Sequence, residues 1–92
     1  MNSFADNEPQ LLQAVIAGDA QAIRCLYDRY IGLLTAVCMR YIVNSEDVKD
    51  VLQDSFVKIL SSIARFDYRG EGSLKAWMVR VVVNESLSLL RQ

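Results

Sequence analysis

Phe66, Tyr68 and Trp77 stand close to Arg69, Lys75, Arg80 and Arg91 in the stretch FDYRGEGSLKAWMVRVVVN, residues 66–84, and the residues just after it. Aromatic rings held in a polar loop can stack on unpaired bases, at about 1–3 kcal/mol per base. The four cations can hold phosphates. Asn84, one turn beyond Arg80, offers a donor and an acceptor side by side, the pattern that reads a base edge. The same rings also fit a plainer role: Trp77 falls on an apolar stripe and reads as core, while Phe66 and Tyr68 fit either role. A second group is acidic. Asp47, Asp50 and Asp54 are spaced three and four apart with Gln53 beside them, so on a helix they share one face and repel by some tenths of a kcal/mol each. That face is either a solvated helix surface or a docking face for a basic partner, whose approach the carboxylates would steer.

Other chemistry is excluded by what the chain lacks. It has no histidine, no CxxC pair, no GK[ST] phosphate loop and no GxSxG, so no catalytic residue, metal site or cofactor is expected. Cys25 and Cys38 read as two reduced thiols packed as small apolar groups, with a disulfide as the alternative. No run approaches the about 20 apolar residues of a membrane span, and the start MNSFADNEPQ lacks the basic and apolar regions of a signal peptide. A cytoplasmic protein without a membrane role is expected. The net charge of −1 conceals a division: residues 1–54 carry 4 basic and 8 acidic side chains, residues 55–92 carry 6 and 3. The two halves suit different partners.

Ninety-two residues, 52% of them apolar, make one small domain with one core. Glu8, Pro9 and LLQAVIAG predict a short first helix stopped at Gly18. Asp19 caps the second, whose apolar positions Ile23, Tyr27, Tyr30, Leu34, Val37, Cys38 and Tyr41 step by threes and fours to about Ile42. Ser45, Glu46 and Asp47 start the third, with Val48, Val51, Leu52, Phe56, Ile59, Leu60 and Ile63 inward and Asp47, Asp50, Gln53, Asp54 and Lys58 outward. Gly70 and Gly72 mark a loop. Ser73 is placed to cap the fourth helix, which buries Leu74, Trp77, Met78, Val81, Val82 and Leu89 and leaves Lys75, Arg80, Asn84, Leu87 and Arg91 on the other side. The run VRVVV has strand-like β-branched density, but the apolar spacing from Leu74 to Leu89 is too long for a strand. The expected fold is all-α, a compact bundle of about four helices with a loop between the third and fourth. The pattern runs on to Gln92 without a stop signal, as in a domain cut from a longer chain.

LYDRY, SEDVKDVLQDSFVKIL, FDYRGEGSLKAW and MVRVVVNESLSLLRQ, in that order, resemble region 2 of bacterial sigma factors of the extracytoplasmic-function class, over roughly residues 20–92. DVKDVLQDSF is similar to the family's D-x-x-D-[VL]-x-Q-[DE]-x-F, and KAW followed by R-V-x-x-N is similar to its later motif. The resemblance implies a transcription initiation domain that docks on the β′ clamp helices of RNA polymerase through Asp47, Asp50, Gln53 and Asp54. It also implies melting of the −10 promoter element and capture of a flipped non-template base. On that match Phe66, Asp67, Tyr68 and Ser73 line or support the pocket, Asn84 falls on the family's base-contacting asparagine, and Lys75, Arg80 and Arg91 face the DNA. An anti-sigma factor is an implied partner. Leu74 and Ser88 depart from the family's usual Phe and acidic residue or Asn. The helix-turn-helix that would bind the −35 element is absent from these residues. A helical protein-interaction module without nucleic-acid binding is the competing reading.

Overall fold

Side chains just ahead of three of the helices decide where they begin. In the computed structural model, which describes residues 7–92, Asn7 Oδ1 accepts from the Gln10 amide at 2.9 Å and opens α1, Glu8–Ile16. Gly18 closes it with a left-handed φ of 85°, a conformation glycine reaches without the strain a Cβ brings. Asp19 Oδ1 accepts from the amides of Gln21 and Ala22 and opens α2, Ala20–Cys38. Asn44 does the same for Glu46 and Asp47 and opens α3, Ser45–Ser62. Each such cap contributes about 1 kcal/mol. The α3 cap therefore sits one residue ahead of Ser45, which is the first residue inside the helix. One turn of 3-10 helix, Ile63–Arg65, carries α3 into the loop before α4, Ser73–Leu90.

α2 ends a turn short of the expected Ile42. The amides of Tyr41 and Ile42 both donate to the Cys38 carbonyl at 3.0 Å, which tightens the chain into a turn. Asn44 must be extended, at φ −73° and ψ 125°, to cap α3, so the helix cannot continue into it. Ile42 is still buried.

The buried rows are narrower than the apolar pattern suggests. On α2 the buried positions are Ala22, Leu26, Tyr30, Leu34 and Cys38, and on α4 they are Leu74, Met78, Val82 and Ser86, every fourth residue in both. Rows of this spacing are the ridges that interlock when helices cross at an angle, and α4 packs against both α2 and α3. Tyr27 and Tyr41, expected on the α2 stripe, lie outside, as does Leu60 on α3. Trp77, Val81 and Leu89 are half-buried at the edge of the core.

Two serines occupy core positions. Ser55 and Ser86 have no exposed surface; their hydroxyls donate to the carbonyls of Val51 and Val82, at 2.7 and 2.8 Å. That bond satisfies the group inside its own helix and leaves a small side chain where neighbours approach. At the crossing of α2 and α4 the Ser86 hydroxyl also lies 3.6 Å from Cys38 Sγ. Cys25 and Cys38 are both free thiols. VRVVV lies wholly within α4, so tertiary packing overrides the β-branched preference. No strand occurs among the described residues, and no helix there is long and apolar enough to cross a membrane. The fold is the expected all-α bundle of four helices.

Candidate nucleic-acid interface

Ser73 pins the loop rather than capping α4. Its Oγ accepts from the Arg69 amide at 3.1 Å and donates to the Gly70 carbonyl at 2.7 Å. The residue ahead of the helix is Gly72, at φ 88°, and no side chain caps the first turn. The expected cap is therefore corrected: Ser73 is the first residue of α4, and its hydroxyl is spent on closing residues 69–73 into a tight turn. Gly70, at φ 102°, makes the same turn possible.

The loop aromatics fold inward. Phe66 and Trp77 stack with ring centroids 4.8 Å apart and planes 25° from parallel, an arrangement worth about 0.5–1.5 kcal/mol beyond its buried area. Both are half-buried against the core, as is Tyr68. Asp67 and Arg69 stay in solvent, joined by an ion pair of 3.0 Å with side chains 74% and 80% exposed. A pair so exposed contributes little to stability and leaves both groups available.

Arg80 and Asn84 on α4 and Arg91 at its C-cap are exposed and form one row. With Ser73 and Trp77 they follow steps of four, three, four and seven, the spacing of a single helix face. This face points away from the row Leu74–Met78–Val82–Ser86 and begins at the loop. Lys75 is also exposed, but five residues before Arg80 means about 140° around the helix, so it stands on a different flank. The loop and the row Arg80–Asn84–Arg91 form one surface; Lys75 lies around the helix from it.

On α3 the structure separates the acidic group from Gln53. Asp47, Asp50 and Asp54 continue to Lys58, whose Nζ lies 2.6 Å from Glu85 Oε2 on α4, so this row runs along the α4 side. Gln53 instead lines an open groove of about 760 Å³ on the α2 side, together with Tyr27, Met39, Leu52, Phe56 and Leu60. The Tyr27 and Phe56 rings meet there at 4.9 Å. Val43, Val57 and Met39 stand out nearby, at 99%, 63% and 62% exposure. Sequence reading missed this groove because Leu52, Phe56 and Leu60 all fit a core face; Leu52 and Phe56 do pack against the core, from its edge, and Leu60 is exposed.

A polar cluster under the loop was also missed. Glu8 Oε1 is sealed from solvent and has no hydrogen-bond partner among the described residues. Burial raises the Tyr30 phenol above its ordinary value, with the charge of Glu8 adding to the rise and Arg29 opposing it; the Arg29 guanidinium lies 5.7 Å over the Tyr30 ring. Tyr68 is raised by desolvation first, then by Glu8 and Glu71. The only sign in the sequence was an acidic residue in the first turn of α1, which reads equally well as a favourable dipole contact. No group of three or more metal-ligating side chains assembles among the described residues.

The sigma-70 region 2 family model matches residues 26–92, a span that holds the acidic row, the loop and the α4 face. The chain belongs to the sigma-70 region 2 family. This is a family of non-enzymatic transcription initiation factors. As a region 2 domain, the chain is 36% identical over 80 residues to the ECF RNA polymerase sigma-E factor of Haemophilus influenzae, covering 87% of this chain and 41% of that protein. It is 34% identical to the Escherichia coli protein of the same description, over 87% of this chain and 40% of that protein. The chain thus spans about two fifths of the length of the curated relatives it matches. Among solved structures it resembles an NMR structure of an engineered region 2 of sigmaE in complex with GTAAAA, at a TM-score of 0.80 and 30% identity, covering 98% of this chain and 90% of that one.

Proposed function

We propose that this region 2 domain docks on RNA polymerase and recognises and melts the −10 promoter element by capturing a flipped base of the non-template strand. The observation that carries the reading is the single surface made by the Ser73-pinned loop and the row Arg80–Asn84–Arg91. Phe66, Asp67, Tyr68 and Ser73 build or support the base pocket, Asn84 reads a base edge, and Arg80 and Arg91 hold the backbone. Lys75, on its separate flank, meets phosphate beyond the pocket. The likeness to a sigmaE region 2 in complex with GTAAAA supports this use of the surface. Flipping a base costs a few kcal/mol, which stacking and edge contacts can offset only for the right sequence. Melting is thereby selective.

Docking uses α3. Asp47, Asp50 and Asp54 meet the basic side of the β′ clamp helices, and Gln53 marks where the contact passes onto the apolar groove. The row of carboxylates steers association, and the groove supplies area. The domain works in the cytoplasm, where its polymerase is, and an anti-sigma factor restrains it.

The reading is tested in two arms. Single-stranded oligonucleotides carrying GTAAAA and its single-base variants are titrated at low salt; sequence-dependent affinity is expected, and uniform weak binding would leave only the helical interaction module. Separately, Asp50→Lys with Asp54→Lys should weaken binding to a β′ clamp-helix fragment at least tenfold. Undiminished affinity rejects the docking role.

A further inference from the structure

Glu8 lies ahead of residues 26–92, the stretch that the family model matches, and nothing in the DNA surface described above includes it. Its position is nonetheless unusual. It stands in the first turn of α1, which packs against α2 and against the 3-10 turn that leads into the loop. One carboxyl oxygen is shut away from water with no donor on it among the described residues. A buried acceptor without a partner is an uncommon and unfavourable feature that calls for an explanation. Two phenols respond to its charge: Tyr30, buried on α2 at 8% exposure, and Tyr68, half-buried in the loop. Tyr30 is fixed by the core on one side and by the Arg29 guanidinium over its ring. Tyr68 lies in the irregular segment between the 3-10 turn and α4 and is half-buried, less enclosed than Tyr30.

We propose that Glu8 is a positioning residue for the recognition loop: its buried oxygen is the acceptor onto which the Tyr68 hydroxyl closes when the loop engages DNA, tying the pocket to α1. The inference rests on the DNA reading of the loop given above. Closing this hydrogen bond satisfies the orphaned oxygen and fixes the Tyr68 ring beside the stacked Phe66 and Trp77. The three rings then present one arranged edge to an incoming base. DNA binding draws on that gain, because the bond and the ordered loop come together. Glu8 touches no base and makes no phosphate contact; it acts only through Tyr68.

The experiment is a double-mutant cycle on the 92-residue chain, with Glu8→Ala, Tyr68→Phe and the pair, reading affinity for single-stranded GTAAAA. Glu8→Gln, which keeps an acceptor, is the conservative variant. Each single change should lower affinity about five- to tenfold, the pair should lose no more than either alone, and Glu8→Gln should recover most of the loss. The second readout needs no DNA. The phenol titrations of Tyr30 and Tyr68, followed by tyrosine carbon NMR, should both move down in Glu8→Gln, whereas Glu71→Gln should move Tyr68 alone. Additive losses, or a Tyr68 titration that ignores Glu8, overturn the proposal while leaving the DNA reading intact. If the unaltered chain binds no oligonucleotide selectively, the DNA reading fails and the positioning role falls with it.

Discussion

Replacing Asn84 by alanine separates recognition from folding more cleanly than any other change in the chain. Asn84 is exposed, points outward from α4 between Arg80 and Arg91, and belongs to none of the buried rows. A substitution at such a site stays within about 0.5 kcal/mol in stability, and alanine is the better helix former by some tenths. At about 4–8 °C per kcal/mol for a domain of this size, the melting temperature should move by no more than about 4 °C. Binding is another matter. A paired donor and acceptor on a base edge is worth about 1–3 kcal/mol of discrimination. At about 1.4 kcal/mol per decade this is a roughly 5- to 150-fold loss, confined to the oligonucleotide whose base Asn84 reads. Fluorescence anisotropy with labelled single-stranded GTAAAA and each single-base variant measures it directly, with Arg80→Ala as contrast. The arginine variant should weaken every sequence alike and reduce the slope of log affinity against log salt by about 0.7. If Asn84→Ala weakens all sequences equally, the amide contacts only backbone; if it weakens none, the assignment of the α4 face to base reading is refuted.

Other expectations concern stability. Met78, fully buried at the centre of α4, should cost about 2–5 kcal/mol as Met78→Ala, seen as a lower urea midpoint with unchanged m-value. Gly72→Ala tests backbone strain alone: φ is 88° and a Cβ would meet nothing within 4 Å. A loss of about 1–2 kcal/mol from the left-handed conformation is expected in chemical denaturation. Tyr30 sets an alkaline limit. Burial, then Glu8, hold its phenol above the ordinary 10.0, so the folded form keeps a proton that the unfolded chain releases. Its contribution is complete below pH 10.0 and is lost as pH climbs through the raised folded value. Tyr30→Phe should flatten that part of the decline in circular dichroism melts taken across the alkaline range.

The helices were readable because their boundaries are written in short-range chemistry. Asp19, Gly18 and the Asn44–Ser45 pair each act within three residues of themselves, and the α4 period survived the contrary signal of VRVVV. What could not be read was the choice among half-apolar faces. Tyr27, Leu52, Phe56 and Leu60 carry the right hydropathy for a core, and only the crossing of α2, α3 and α4 shows that they line an outer groove, with Leu52 and Phe56 at the edge of the core. Ser55 and Ser86 were invisible for the opposite reason: a serine looks polar until its hydroxyl is seen bonded to its own helix. Within the site, the row Arg80–Asn84–Arg91 followed from spacing alone. The position of Lys75 on another flank follows from the same arithmetic. The roles of Ser73 and Glu8 depend on which loop atoms come near them, and a loop with two left-handed glycines has no period to count.

The ion pair between Lys58 and Glu85 has a geometric meaning that its modest energy conceals. Lys58 follows Asp54 by one turn of α3, and Glu85 is the neighbour of Asn84 on α4. The carboxylate row and the outward face of α4 are thus two edges of one rigid template, with buried Ser55 and Ser86 on the rows of those same helices. Whatever each edge holds is kept at a span set by side-chain volumes, with no linker to stretch. The domain is a gauge: a change of one methylene in that seam would alter the span between the carboxylate row and the outward face of α4.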